Sequence, residues 1–411
     1  ERQPFLLNSV LLRQNISNVH EWHKRVALYQ ERGDAAQVVA TYTEALTSVD
    51  AAAADGKLHS LWVAFAKWYE AQAQLDTARD ILQRATAAPY HAVDELVTVH
   101  CEAAELELRH GEPQRALDLI KNAIANARPA SLARGGGAAS LAAKRLNRSV
   151  RLWNMYVDLE ESVGTFESTC AAYDEMMRVK VATPQTVLNY TEYLQTHKHW
   201  EKSFQVFERA VAAFSFPFAR DIWASYLTQF VQRYGGRKLE RARDLFEQAL
   251  KASPAGDATL FYLQYAALEE KHGLARHAMA IYERATNAVP DKDRTRMFVL
   301  YIQRAAERFG VARTREIYER AIADLPDAGS LAMSQRYAQM ELRLGEIDRA
   351  RAIYVHASQL ADPRLYPLFW RNWHEFEVQY GNEDTFAEMS RIKRSVQTAH
   401  TTTVNVAAVN M

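Results

Sequence analysis

Three groupings of residues have the types and spacing to suggest chemistry. His20-Glu21-Trp22-His23 places two imidazoles around a carboxylate. A zinc protease needs the two histidines four residues apart on one helical face, with the glutamate between them as base. Here the spacing is three, and Trp22 occupies a recurrent packing position, so the segment reads as packed helix. His272 and His277 are five apart and likewise miss a shared face. Gly135-Gly136-Gly137 and Gly235-Gly236-Arg237-Lys238 could cradle a phosphate, but neither carries the Gly-Lys-Ser/Thr of a nucleotide loop and no strand precedes either. No nucleophile, base and orienting acid form a recognisable set. The sequence thus predicts no catalytic residue, no metal, no cofactor and no small-molecule substrate.

A fourth pattern is a glutamate that returns at one phase: Glu107, Glu160, Glu269, Glu341 and Glu377. Catalysis needs a residue once, whereas a structural role needs it in every copy. The predicted role is a charge-assisted hydrogen bond to an arginine of the second helix of a repeat or to a neighbouring turn, because a partly buried charge requires pairing. A fifth feature is basic. Between Leu119 and Val157 stand Lys121, Arg128, Arg134, Lys144, Arg145, Arg148 and Arg151, with no acid. Pro129 and the glycine triplet break any helix, so residues 124–150 read as an insertion. Arg128, Arg134, Lys144, Arg145 and Arg148, with Arg237 and Lys238, are candidate contacts to RNA phosphate or an acidic partner. A solvated loop is the plainer reading of the same stretch.

The elements that carry these residues follow from an internal repeat. An apolar residue precedes alanine by three in Tyr42/Ala45, Leu82/Ala85, Ile120/Ala123, Phe207/Ala210, Phe246/Ala249, Tyr282/Ala285, Tyr318/Ala321 and Tyr354/Ala357. Tyr173/Met176 fits loosely and Ser390/Lys393 marks a degenerate last copy. Twenty residues before the aromatic stands Trp22, Trp62, Trp153, Tyr262 or Trp370, with Trp223 three residues out of step. Nine before it stands glycine in six copies (Gly33, Gly111, Gly164, Gly273, Gly345 and Gly381), where a left-handed backbone is expected. Proline follows at Pro89, Pro254, Pro290, Pro326 and Pro363. Each unit is therefore helix A, glycine turn, helix B and breaker. No single pair can bury its own apolar stripe, so the units must stack.

Composition agrees. Fifty basic and 50 acidic residues balance, which excludes a wholesale nucleic-acid coat, and only 15 glycines and 11 prolines argue against a turn-rich β protein. The neutral total averages over blocks: acids dominate 94–118 and 158–176, and bases the stretch between them. Two cysteines, Cys101 and Cys170, suggest a reducing compartment, and no apolar run is long enough to cross a membrane. The chain starts at Glu1 and reads as a fragment of a longer protein.

The repeat resembles the tetratricopeptide repeat, but its period is mostly 36 to 40. Glutamate stands where that family has tyrosine, and arginine clusters in helix B at Arg79, Arg243, Arg315 and Arg351. This is similar to the half-a-tetratricopeptide (HAT) variant found in RNA processing. The segments Asn8-Ser-Val-Leu-Leu-Arg-Gln-Asn15, Val19-His-Glu-Trp-His-Lys-Arg-Val-Ala-Leu28, Tyr234-Gly-Gly-Arg-Lys-Leu-Glu-Arg-Ala-Arg-Asp-Leu-Phe-Glu-Gln-Ala-Leu250 and Leu344-Gly-Glu-Ile-Asp-Arg-Ala-Arg-Ala-Ile-Tyr354 resemble the Syf family of HAT-repeat pre-mRNA-splicing factors (XPA-binding protein in animals), in its C-terminal half. The resemblance implies an all-α, right-handed α-α superhelix of about ten helix-pair repeats. The repeat register sets the expected boundaries at 1–17 (end of a preceding repeat), 18–123 (three units), 124–150 (insertion), 151–394 (seven units) and 395–411 (an extended or partly ordered tail). The resemblance further implies a nuclear, non-catalytic spliceosomal scaffold of the NineTeen complex or intron-binding group. A crooked-neck-type HAT protein, Isy, an Aquarius-type helicase and a cyclophilin are the implied partners, and transcription-coupled repair a second role. The alternative is a HAT scaffold that binds RNA or serves mRNA 3'-end processing. The insertion departs from the family pattern, so no contact is carried over there. A reader of one RNA base per repeat would need a recurrent stacking position, and a clamp for acidic peptides would need regular Lys, Arg or Asn where glutamate stands.

Overall fold

The structure is a computed structural model and describes residues 3–51, 53–90, 92–127 and 145–409. Among these residues the elements are α-helices, short 3-10 turns and one parallel bridge between Asn18 and Asp55. The chain divides into two compact units, Glu1–Lys198 and His199–Met411.

In the first unit, helix Gln3–Gln14 precedes the pairs Val19–Glu31/Ala35–Ser48, Leu58–Ala71/Leu75–Ala87, Val93–Arg109/Pro113–Asn126 and Val150–Val163/Phe166–Arg178, with Pro184–Thr196 last. The second unit opens on Trp200–Ala213. The pairs Ala219–Tyr234/Leu239–Ala252, Ala255–His272/Ala275–Ala288, Asp291–Phe309/Arg315–Asp324, Asp327–Arg343/Ile347–Ser358 and Pro367–Tyr380/Glu383–Val409 follow. The first and second members of each pair are helices A and B. This is a helical-repeat solenoid.

Periodicity explains the packing. In helix B of one pair, Ala242, Leu245, Phe246 and Ala249 are all buried, at spacings of three and four that make one stripe. The alanine three residues after each apolar packing residue admits a neighbouring helix: Ala45, Ala85, Ala210, Ala249, Ala285, Ala321 and Ala357 are each 0% exposed. A larger side chain there would overpack the joint. Pro254, Pro290 and Pro326 sit at the N-cap of the following helix A, where a missing N–H does no harm.

Trp22, Trp153 and Trp370 are buried, and each indole N–H has a partner. Nε1 donates to the carbonyls of Ile16 at 2.7 Å, Asn147 at 2.7 Å and Ala361 at 2.9 Å, respectively. Tryptophan therefore ties helix A to the linker before it, and a buried ring of this size needs that partner. Trp223 and Tyr262 are also buried, but Trp62 is only half-buried because Leu61 and Phe65 take the inner face of its helix.

The glycine turns fall into two kinds, where one was expected. Gly33, Gly111 and Gly345 have φ of 74°, 78° and 82°, and Ala73 and Lys198 adopt the same left-handed backbone at the same phase. Gly164, Gly273 and Gly381 do not: their φ values are −77°, −109° and −94°. There a Cβ would fall on the carboxylate of Glu160, Glu269 or Glu377, four residues earlier. These glycines serve close approach to that carboxylate.

The final helix Glu383–Val409 continues through residues 395–409 of the segment expected to be extended or partly ordered. No glycine or proline stands between Glu383 and Val409 to stop it. Met389 joins the buried cluster that holds Trp370 and Trp373, and Phe386, Ile392 and Val396 pack against that cluster.

Candidate functional site: the joints between repeats

Three layers of contact join one repeat to the next. The innermost is aromatic. Phe246 stacks on Tyr265 with ring centroids 5.0 Å apart, Tyr318 on Tyr337 at 5.0 Å, and Tyr282 on Tyr301 at 6.0 Å. Phe207–Tyr226 and Tyr173–Tyr190 repeat the arrangement. Each pair links helix B to the next helix A. Such stacking contributes roughly 0.5–1.5 kcal/mol beyond the buried area. Burial pushes the phenols of Tyr265 and Tyr337 up to about 12.

The second layer answers the repeated glutamate. Arg243 Nε and Nη2 donate to Glu269 Oε1 and Oε2 at 2.6 and 2.8 Å. Arg315 grips Glu341 at 2.7 and 2.8 Å, and Arg79 grips Glu107 at 2.8 and 2.7 Å. Arg351 Nε reaches both oxygens of Glu377 at 3.0 and 3.2 Å. The arginine lies on helix B of one repeat and the glutamate on helix A of the next, so each pair crosses a joint. Glu269, Glu341 and Glu377 have fully buried carboxylates, while their arginines keep 18–26% exposure. Burial pushes the Glu269 carboxyl up, but the bonds and charge of Arg243, with the Leu274 amide, outweigh this and hold it below its ordinary value. The Arg243 guanidinium is held correspondingly high. A planar fork meeting a carboxylate at two points fixes angle as well as distance, which lysine could not do. Glu160 departs from the rule: Leu117 stands at the arginine phase of the preceding helix B, and Ser168 Oγ donates to Glu160 Oε2 at 2.6 Å instead.

The third layer lies outside and was not read from the sequence. Glu247 binds Arg284 through two bonds at 2.7 and 2.8 Å, and Glu283 binds Arg320. The signal was available, because Glu247 and Glu283 stand 36 residues apart, as do Arg284 and Arg320. At the next step Glu319 holds the glutamate position and His356 stands where the arginine would be.

The candidate contact residues scatter. Arg145 and Arg148 are exposed, in and beside the 3-10 turn Leu146–Arg148 of the first unit. Arg128, Arg134, Lys144 and the Gly135–Gly137 triplet lie outside the described residues. Arg237 is exposed in the second unit, whereas Lys238 sits 3.9 Å from the Tyr234 ring centroid and 3.5 Å from Glu201. The histidines make ordinary contacts: His23 Nε2 lies 2.8 Å from Ser60 Oγ, and Glu21 pairs with Lys24 at 2.6 Å. No cluster of three metal-ligating side chains occurs among the described residues.

Residues 51–411 match the family model for the Pre-mRNA-splicing factor Syf1/CRNKL1 C-terminal HAT repeat, and residues 1–49 match the SYF1 middle HAT repeat. The chain belongs to the Syf1/CRNKL1 C-terminal HAT-repeat family. Relatives include the Pre-mRNA-splicing factor SYF1 of Rattus norvegicus, 53% identical over 100% of this chain and 48% of the relative. The syf1 homolog of Drosophila melanogaster is 50% identical over 99% of this chain and 46% of its own length. Pre-mRNA-splicing factor cwf3 of Schizosaccharomyces pombe is 44% identical over 98% and 51%. The chain thus spans about half the length of the curated relatives it matches. In this Syf1/CRNKL1 chain the recurrent aromatic, arginine and glutamate positions face the neighbouring repeats.

Proposed function

We propose that the chain is part of a non-catalytic scaffold of the spliceosome that holds protein partners in place during pre-mRNA splicing, in the nucleus. One observation carries this reading: the repeated polar residues form joints between repeats, as in Arg243–Glu269 and Arg315–Glu341. Stacked helix-pair repeats present extended surfaces to partners. Membership of a splicing-factor family supports the same reading. The partners are proposed by class: a crooked-neck-type HAT protein, Isy, an Aquarius-type helicase and a cyclophilin, within the NineTeen complex or intron-binding group. A role in transcription-coupled repair belongs to the same proposal. Affinity purification of the tagged full-length protein from nuclear extract tests it. Recovery of spliceosomal subunits is expected. Recovery of a 3'-end-processing complex instead would overturn the splicing assignment.

A peripheral contact with RNA is a second reading, favoured by exposed Arg145 and Arg148 in a stretch without acids. It adds to the scaffold role without replacing it.

A further inference from the structure

The outer ladder shows by example what its last step accepts. Glu247 and Glu283 each stand one residue past the packing aromatic of their helix B. Each binds an arginine two residues past the aromatic of the next helix B, Arg284 or Arg320. The two guanidinium carbons lie 6.0 Å from the Tyr262 ring centroid and 5.9 Å from that of Tyr301. Thirty-six residues on, Glu319 repeats the acceptor and Tyr337 the phenol of Tyr301, but His356 stands at the arginine position. Imidazole has a shorter reach than guanidinium. Between helices Arg315–Asp324 and Ile347–Ser358 a groove of about 600 Å³ results, lined by Glu319, Ile322, Tyr337, Arg349, Ile353 and His356. Among the described hydrogen bonds Glu319 accepts one, from the Tyr337 hydroxyl at 3.2 Å. An ionised carboxylate has capacity for a bidentate arginine as well.

We propose that this groove docks a single arginine side chain of a partner protein, whose guanidinium completes with Glu319 the contact that Arg284 and Arg320 make within the chain. Ile322 and Ile353 give apolar walls for the flanking residues of that segment. Arg349, also in the lining, disfavours a run of basic residues, so the segment carries one arginine among apolar or acidic neighbours. The proposal deepens the scaffold reading by naming the chemistry of one partner contact, yet its test needs no splicing component, so the two fail separately.

The full chain, methyl-labelled at isoleucine, is titrated with N-acetyl-arginine methylamide and with the neutral, near-isosteric N-acetyl-citrulline methylamide. Saturable shifts at Ile322 and Ile353 are expected with arginine and roughly tenfold weaker binding with citrulline, the discrimination that hydrogen bonds to a charged group give. Glu319→Gln should abolish that preference. His356→Arg should also abolish binding, because it closes the contact from within, while raising the melting temperature. This second variant keeps the test decisive should Glu319→Gln disturb the fold. Equal binding of the two probes, no saturable shift, or binding retained in His356→Arg would overturn the proposal. So would Glu319-dependent self-association in sedimentation, which would make the occupant a second copy of the chain.

Discussion

Glu269→Ala is the perturbation whose size can best be worked out in advance. The carboxylate is fully buried and takes two short bonds from Arg243. Its removal leaves Arg243, 18% exposed, with Glu240 at 2.6 Å, a partner that is itself 84% exposed. Breaking a fully buried pair costs about 3–5 kcal/mol, and the surviving contact and partial access to water place this case lower, at about 2–3 kcal/mol. In a unit of this size each kcal/mol moves the midpoint by about 2–4 °C, so the melting temperature should fall by about 5–10 °C. Because the pair crosses a joint, the loss should also weaken coupling between neighbouring repeats and broaden the transition. A double-mutant cycle with Arg243→Ala, read by chemical denaturation and by amide exchange in helix Ala255–His272, isolates the pair. An unchanged midpoint, or a coupling energy under about 0.5 kcal/mol, would refute the argument that the glutamate serves the joint.

Other outcomes follow from the same geometry. The folded Glu269 carboxyl titrates below its ordinary value, so its stabilisation is complete above the unfolded carboxylate pKa of about 4.3 and disappears as pH falls through the lower folded value. Denaturation midpoints between pH 5 and 3 should therefore drop less steeply in Glu269→Gln than in the parent. Gly273→Ala should destabilise strongly, because its Cβ meets the Glu269 carboxylate, and the cost should shrink in a Glu269→Ala background. Gly345→Ala meets nothing within 4 Å and should cost only the left-handed strain, about 1–2 kcal/mol. Trp153→Phe removes the donor to the Asn147 carbonyl and should cost about 1–3 kcal/mol by thermal melting. For the RNA reading, Arg145→Glu with Arg148→Glu should lower the salt slope of single-strand binding by about 1.4, and an unchanged slope would remove it.

Much of the fold was legible because a repeat prints its packing in the sequence. The aromatic-alanine stripe fixed which face of each helix B is buried, and the helical build of the described residues followed from composition and period. The recurring glutamate could be assigned a structural role from recurrence alone. Its partner was narrowed to a helix B arginine or a turn, but which arginine was not legible. Arg243 and Glu269 stand 26 residues apart, and only the stacking of one repeat on the next decides that the arginine reaches forward to the following helix A and not back within its own pair. The same holds for Glu160, where Leu117 at the arginine phase leaves Ser168 as donor.

Glycine shows the division most sharply. The sequence placed six glycines at one turn phase, and backbone preference suggested one conformation for all. The tertiary structure separates them: three take left-handed φ in open space, and three make room for a carboxylate. Local propensity is blind to that difference, because it depends on where a side chain four residues earlier is held. The sequence by itself determined the repeat, its period and its buried face, since these are periodic properties of a single helix. Which charges meet across the joints, and the groove where an arginine gives way to His356, were decided by the stacking of helices distant in the chain.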